Sequence, residues 1–265
     1  MNQDQVKQAL LSLRPGVADF SLIFSGKESS KVNGLYKPET REIIIHNRNF
    51  TNDGALMYTA IHEFAHHVHF TKSPVPVTQR AHTTAFRSIL HELLGLAEER
   101  GMYQNLFLTH PDFVGLTRRL RDEFLKRHGD LMKEMGELLS RAESLCREHH
   151  ARFEDYVERV LAMDRTTAGA LIKIHALDIP SELGYENMRT VAGIANPQKR
   201  TEAQDAFLQG ESPDMVKQRF KSEGKKTEDP VELLLSERQR IERNIQNLRN
   251  RLKEVEDRIE EYRRL

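Results

Sequence analysis

The spacing of apolar residues divides the chain into stretches of different period. Gln3 to Leu13 repeats at helical spacing and is stopped by Pro15-Gly16. Asp19 to Phe24 alternates instead, with Phe20, Leu22 and Phe24 on one face, as a half-buried strand does. From Gly34 to His46 the pattern predicts a strand, a turn at Lys37-Pro38-Glu39-Thr40 and a second strand through Ile43, Ile44 and Ile45. Asn52-Asp53-Gly54 precedes a strongly apolar helix, Ala55 to Phe70, which Pro74 and Pro76 break. A further helix is predicted from Arg80 to Gly95, with Phe86, Ile89, Leu90, Leu93 and Leu94 as its buried stripe. Residues 1–110 therefore read as an α+β unit, a small sheet packed on helices.

Beyond Asp112 the sequence is helical almost throughout. Leu116, Leu120, Phe124, Leu131, Met135, Leu138, Ala142 and Leu145 fall at helical spacings, so 111–152 reads as one long connecting helix. Residues 153–229 break into short helices and a charged, turn-rich linker from Lys221 to Pro230, with stops at Pro180, Gly184, Pro197, Gly210 and Pro213. Residues 230–265 carry a heptad seam from Val231 to Tyr262, interrupted only at Arg238, as a coiled coil does. The two long helices are of similar length, roughly 50 Å at the α-helical rise. That match predicts an intrachain antiparallel coiled coil holding residues 153–220 at the tip of a stalk, far from the first unit. The alternative is a parallel homodimer through 231–265.

Composition narrows the classes. Hydrophobic residues make up 38% and charged residues 30%, which suits a small core with exposed helices. Lys+Arg and Asp+Glu are equal at 40 each, so no overall field draws the chain to nucleic acid or to an anionic membrane. The lone cysteine, Cys146, excludes an intrachain disulfide and a cysteine-rich zinc ribbon, and suits a reducing cytoplasm. Met1 to Leu13 lacks the apolar centre of a signal peptide, and no stretch approaches bilayer length, so no membrane partner is expected. Of twelve histidines, four fall between His62 and His69.

That cluster contains His62-Glu63-Phe64-Ala65-His66. Residues i and i+4 share a helix face, so His62 and His66 can direct imidazole nitrogens at one metal ion. Glu63, beside the first ligand, is placed to take a proton from water as general base. The arrangement implies one Zn2+ per chain, which acidifies water and polarises a peptide carbonyl. A catalytic zinc needs a third protein ligand. A glycine three residues after His66 and a histidine six residues after it would mark a metzincin; this chain has His69 and Lys72 there. His82 at the head of the next helix is the leading candidate, with Glu92 as its rival. His67 and His69 are expected around the helix as polar groups, and His91 on the surface. Tyr36 and His46 are candidates to stabilise an oxyanion.

An HExxH helix, a loop and the segment His82-Thr-Thr-Ala-Phe86 resemble the SprT-like zinc metallopeptidases, which include the Spartan-type proteases of DNA–protein crosslinks. The strand pair carrying Asn33-Gly34-Leu35-Tyr36 and Ile43-Ile44-Ile45 is similar to that family's sheet edge, and the resemblance spans about residues 15–100. It implies an α+β zincin fold of minimal gluzincin type, with His62, His66 and His82 as ligands, Glu63 as catalytic base and a protein substrate. Two departures stand out: Thr83 replaces the family's usual glycine after the third histidine, and the zinc ribbon frequent in bacterial members is absent.

In the second half, Phe153 to Met163 is predicted as a helix, followed by a tight turn and a helix from Arg165 to Leu177 capped by Asp164. Together with Met188–Ala195 and Gly210–Lys217, this resembles the helix-turn-helix domains of the ParB/KorB type. The resemblance implies DNA contacts by Arg165, Thr166, Thr167 and Lys173. The reading is thus a cytoplasmic zinc metallopeptidase acting on proteins, including DNA-associated ones. The alternatives are a DNA-binding regulator that keeps the zincin fold without turnover, which an intact Glu63 argues against, and a coiled-coil adaptor.

Overall fold

The computed structural model describes residues 1–77, 82–220 and 229–264. Helix α1 (Gln3–Leu13) opens with a capping box: Asn2 accepts from the Gln5 backbone N–H, and the Gln5 side chain accepts from that of Asn2. Strands β1 (Ser21–Phe24), β2 (Gly34–Lys37) and β3 (Glu42–Ile45) form one sheet in the order β1-β3-β2. β1 runs parallel to β3 and β2 antiparallel to it, with Leu35 opposite Ile44 and Leu22 opposite Ile43. The expected alternation is present: Phe20 and Leu22 are buried, Ser21 and Ile23 exposed. β2 lies at the sheet edge.

Helix α2 (Asp53–Lys72) starts at Asn52, whose side chain accepts from the Ala55 N–H at 2.9 Å. Its apolar residues lie on every face, so it must be covered from all sides. The sheet covers one side, and α1 and α3 (Thr84–Glu99) cover others. Met57, Ala60, Ile61, Phe64, Ala65 and Val68 are wholly buried there, in one core with Val6, Leu10, Ile43, Phe86 and Leu93. The predicted start of α3 at Arg80 falls outside the described residues; the observed helix begins at Thr84 and runs on to Glu99, past Gly95.

Helices α4 (Leu106–Thr109) and α5 (Pro111–Arg119) lead through a π-helical segment, Leu120–Leu125, into α6 (Lys126–Glu148). The long connecting helix is thus present. After α7 (Phe153–Asp155), a second π-helical segment replaces the rest of the predicted Phe153–Met163 helix. Then come α8 (Arg165–Ala176), α9 (Tyr185–Ala192), α10 (Pro197–Leu208), α11 (Pro213–Phe220) and α12 (Pro230–Arg264). Asp164 caps α8 as expected, accepting from the Thr167 N–H at 2.8 Å. Pro197 and Pro213, expected as stops, are the first residues of α10 and α11. Proline suits that position because the first N–H of a helix has no partner within it.

Among the described residues, the two long helices do not bury their seams against each other as the intrachain stalk would require. Helix α6 packs against α8 through Leu139, with Met132 and Met135 beside it, around Ala168 and Leu171, and comes closest at Gly136. A Cβ on Gly136 would fall 2.2 Å from the Leu171 carbonyl oxygen, and one on Gly129 2.6 Å from that of Ser181, so only glycine allows the backbones to approach this closely. The other face, with Leu131 and Leu138, is exposed at 57% and 66%. No described side chain of α12 is buried. The helical module is also not remote from the first unit. Helix α11 lies against α3, where Arg87 pairs with Asp214 at 2.9 Å and His91 Nδ1 meets the Ser212 hydroxyl at 2.6 Å. His91, expected on the surface, is a half-buried interface residue. Of the apolar residues named for this helix, Met135 does turn towards α8, but the buried Leu139 and the close approach at Gly136 lie off the expected seam, so the α6–α8 contact was not visible in its spacing. Among the described residues no helix is long and apolar enough to cross a membrane.

Candidate metal centre

His62 and His66 sit one turn apart on α2. His82 immediately precedes Thr83, the N-cap of α3, whose hydroxyl accepts from the Phe86 N–H at 3.2 Å. Thr83 has extended backbone, φ −79° and ψ 171°, so the place held by glycine in the resembling family needs none here. The cap instead fixes where α3 begins, and with it the approach of His82.

Nε2 of His82 lies 3.2 Å from Nε2 of His62 and 3.2 Å from Nε2 of His66. The ligating atoms of the three residues fall within 4.8 Å of one another, and the cluster could hold a metal ion. Phe86, 1% exposed, is the platform beneath them. Its ring stacks on His66 at 4.1 Å and meets those of His82 and His62 edge-on at 4.9 and 5.1 Å. Burial pulls the His66 pKa down to about 3, helped by His62, His82 and His69, and lowers that of His62 as well. Burial thus favours the neutral form of His62 and His66, which keeps the lone pair that a metal ligand needs.

The donor set fits zinc. Two nitrogens bound tetrahedrally at ~2.0–2.1 Å stand roughly 3.3 Å apart, close to the observed spacing. Three imidazoles with a cleft beside them suit a metal that keeps one position for substrate. Glu92 is not part of this cluster: its carboxylate is half-exposed and pairs with Arg14 at 3.2 Å.

Glu63 faces β2. A Cβ on Gly34 would come within 3.1 Å of Glu63 Cγ and 2.9 Å of Thr59 Cγ2, so the strand approaches the helix at a residue without a side chain. Burial raises the Glu63 pKa to about 7, against the opposing effect of the Tyr36 backbone N–H. Glu63 and the three histidines line a cleft of about 500 Å³, walled by Gly34, Leu35 and Tyr36 of the edge strand and by Tyr58 and Phe70.

The remaining candidates have other tasks. His67 is wholly buried; its Nε2–H donates to the Ala18 carbonyl at 2.8 Å, and its Nδ1 accepts from the Tyr36 hydroxyl at 3.1 Å. Tyr36 thus lines the cleft with its hydroxyl already engaged. His46 Nδ1 meets the Ser25 hydroxyl at 2.9 Å. His69 is buried, and its Nδ1 has no hydrogen-bond partner among the described residues.

Arg87 was not found from the sequence. Its Nη1 donates to the His82 carbonyl at 2.9 Å while its Nε donates to Asp214 at 2.9 Å. The two carboxylate and guanidinium positions are 127 residues apart, and no local pattern links them. Of the residues expected to contact DNA, Arg165 pairs with Glu158 at 2.9 Å and Thr167 donates its hydroxyl to Asp164 at 3.2 Å, while Thr166 and Lys173 are exposed. Comparison of the chain with protein-family models, with curated proteins and with solved structures gives no match.

Proposed function

We propose that this chain is a zinc-dependent peptide hydrolase of minimal gluzincin type, with His62, His66 and His82 as ligands to one zinc ion and Glu63 as general base. The observation that carries the reading is the convergence of three imidazole nitrogens beside a buried glutamate in one cleft. When bound, zinc supplies a Lewis acid that acidifies water and polarises a carbonyl oxygen. Glu63 has the character a base needs: its affinity for a proton is raised towards neutrality, so it can take a proton and pass it on. The substrate class follows from the wall of the cleft. β2 is an edge strand, and an extended peptide can add to such an edge through main-chain hydrogen bonds. A protein segment therefore suits the cleft better than a compact small molecule. The SprT-like resemblance rests on these same residues.

The test is a metal assay joined to a peptidase assay on the full chain. Wild type should carry about one zinc per chain, and His66→Ala should carry almost none. Glu63→Gln should keep the metal and lose roughly 10²–10⁴-fold in peptide hydrolysis, the usual contribution of a positioned base. A Glu63→Gln protein as active as wild type would sink the hydrolytic reading even with zinc present.

A further inference from the structure

We propose that α12 is the dimerisation element of the protein and pairs with α12 of a second copy in antiparallel, full-overlap register. Its heptad places Val231, Ile245, Leu252 and Ile259 in one row and Leu234, Ile241, Leu248, Val255 and Tyr262 in the other. All are at least 44% exposed, so no described residue of the chain covers the seam. The flanking charges choose the occupant and its direction. In a parallel pair, Glu237 would face Glu242 of the partner subunit and Arg258 would face Arg263 of the partner subunit; only Arg251 with the partner's Glu256 would attract. Reversing one helix so that Ile245 lies opposite Leu248 of the partner subunit changes the signs. Glu242 then faces the partner's Arg249, and Arg258 faces the partner's Glu237. Two-fold symmetry repeats each attraction, and no like charges meet among these flanking positions. Within one helix, Glu237 and Glu242 pair with Arg240 and Arg238. The Glu242 pair is exposed, so its carboxylate can turn to the partner, whereas the partner's Arg258 would compete with Arg240, which donates to both oxygens of Glu237.

The test uses the full chain with Cys146→Ser. Its mass in solution should be that of a dimer. Ile241→Cys alone should not form a disulfide with itself, but should form one with a Leu252→Cys copy when the two are mixed. Glu242→Lys should weaken the dimer by roughly tenfold, and adding Arg249→Glu should restore it. A monomeric mass would overturn the proposal. So would self-crosslinking of Ile241→Cys or a dimer strengthened by Glu242→Lys, since both belong to a parallel pair.

A second inference stands on a separate observation and rests on the metal reading above. The geometry assigns Arg87 and Asp214 as positioning residues for His82. His82 is exposed and precedes its helix, so packing holds it less firmly than it holds His66. Its carbonyl is gripped by Arg87, which is held in turn by Asp214 in the first turn of α11. The helical module thereby reaches the third ligand through two contacts. Groups that orient a metal ligand typically change affinity by ~10–100-fold when removed.

Zinc affinity by competition with a chromophoric chelator, and the visible spectrum of the cobalt(II)-substituted protein, read this directly. Asp214→Ala and Arg87→Ala should each weaken zinc binding about tenfold and alter the cobalt bands. The double variant should be no worse than Arg87→Ala, because both act along one path. If wild type binds zinc and Asp214→Ala matches it in affinity and spectrum, this assignment falls alone. If wild type binds no zinc, the metal reading falls and takes the assignment with it.

Discussion

Helices α2 and α12 both carry more apolar surface than water tolerates, yet the chain treats them in opposite ways. α2 is enclosed by the sheet, α1 and α3, and its aliphatic residues from Leu56 to Val68 and Phe64 are buried, with Tyr58 left exposed. α12 keeps its whole seam exposed over 35 residues. The difference lies in the shape of the pattern. An all-round apolar helix needs three or four neighbours and can find them only inside a tertiary core. A narrow heptad seam needs one neighbour of the same length. Among the described residues the chain supplies the first requirement and not the second: the 23-residue α6 packs against α8, and nothing lies along the 35-residue α12. Chemistry follows the same division. The enclosed helix holds its side chains in fixed relation, and it is there that His62, Glu63 and His66 stand.

The sharpest way to break this comparison is to truncate a large side chain in each helix. Phe64→Ala removes a fully buried ring and should destabilise the fold by about 3–5 kcal/mol. Leu248→Ala removes a side chain that is 66% exposed, and should cost less than about 1 kcal/mol in the isolated protomer. Chemical denaturation at low protein concentration measures both. Equal losses would mean that α12 is buried within its own chain after all.

A smaller effect separates the two faces of α6. Gly136→Ala drives a methyl group into the Leu171 carbonyl and should cost about 1–3 kcal/mol by forcing α6 and α8 apart. Leu138→Ala, on the exposed face of the same helix, should change stability by about 0.5 kcal/mol or less. Thermal unfolding of the two variants decides it. A large loss at Leu138 with none at Gly136 would put the packed face where the leucine spacing alone suggested.

That pair also shows what could be read in advance. The sheet strands, α2, the long helix and two members of the histidine cluster are written in short-range patterns: alternation at Phe20 and Leu22, all-round apolarity from Leu56 to Val68, and the four-residue spacing of His62 and His66. His82 was reachable as a histidine just before a helix that turns Phe86 inward. What stayed hidden depends on contacts between residues far apart. Gly129 and Gly136 signal close approach only once a neighbour is in place, and Arg87 has no local mark of its bond to Asp214. The docking of α11 on α3 brings Ser212 to His91 across 121 residues, beyond the reach of any periodicity.

The finest test concerns the pH dependence of the metal-free protein, where two opposing charges on α2 nearly cancel. His66 is held neutral: its pKa falls from 6.5 in the unfolded chain to about 3. Between those values the unfolded chain binds the extra proton, so this group makes stability rise with pH. Glu63 is shifted the other way, from 4.5 to about 7, so in that window the folded state holds the extra proton and stability falls as pH rises. Both act between about pH 4.5 and 6.5. The wild-type profile there should be nearly flat as far as these two groups govern it. Glu63→Gln removes the falling contribution and leaves the rising one, so the variant should gain stability steadily over that interval. Above pH 7 it should be the more stable of the two, because it no longer buries a carboxylate charge without a cation. Urea unfolding at a series of pH values after chelation reads the slopes directly. Parallel profiles for the two proteins would mean that Glu63 titrates as an exposed carboxylate does, and the enclosed environment that sets α2 apart from α12 would then not extend to the face that lines the cleft.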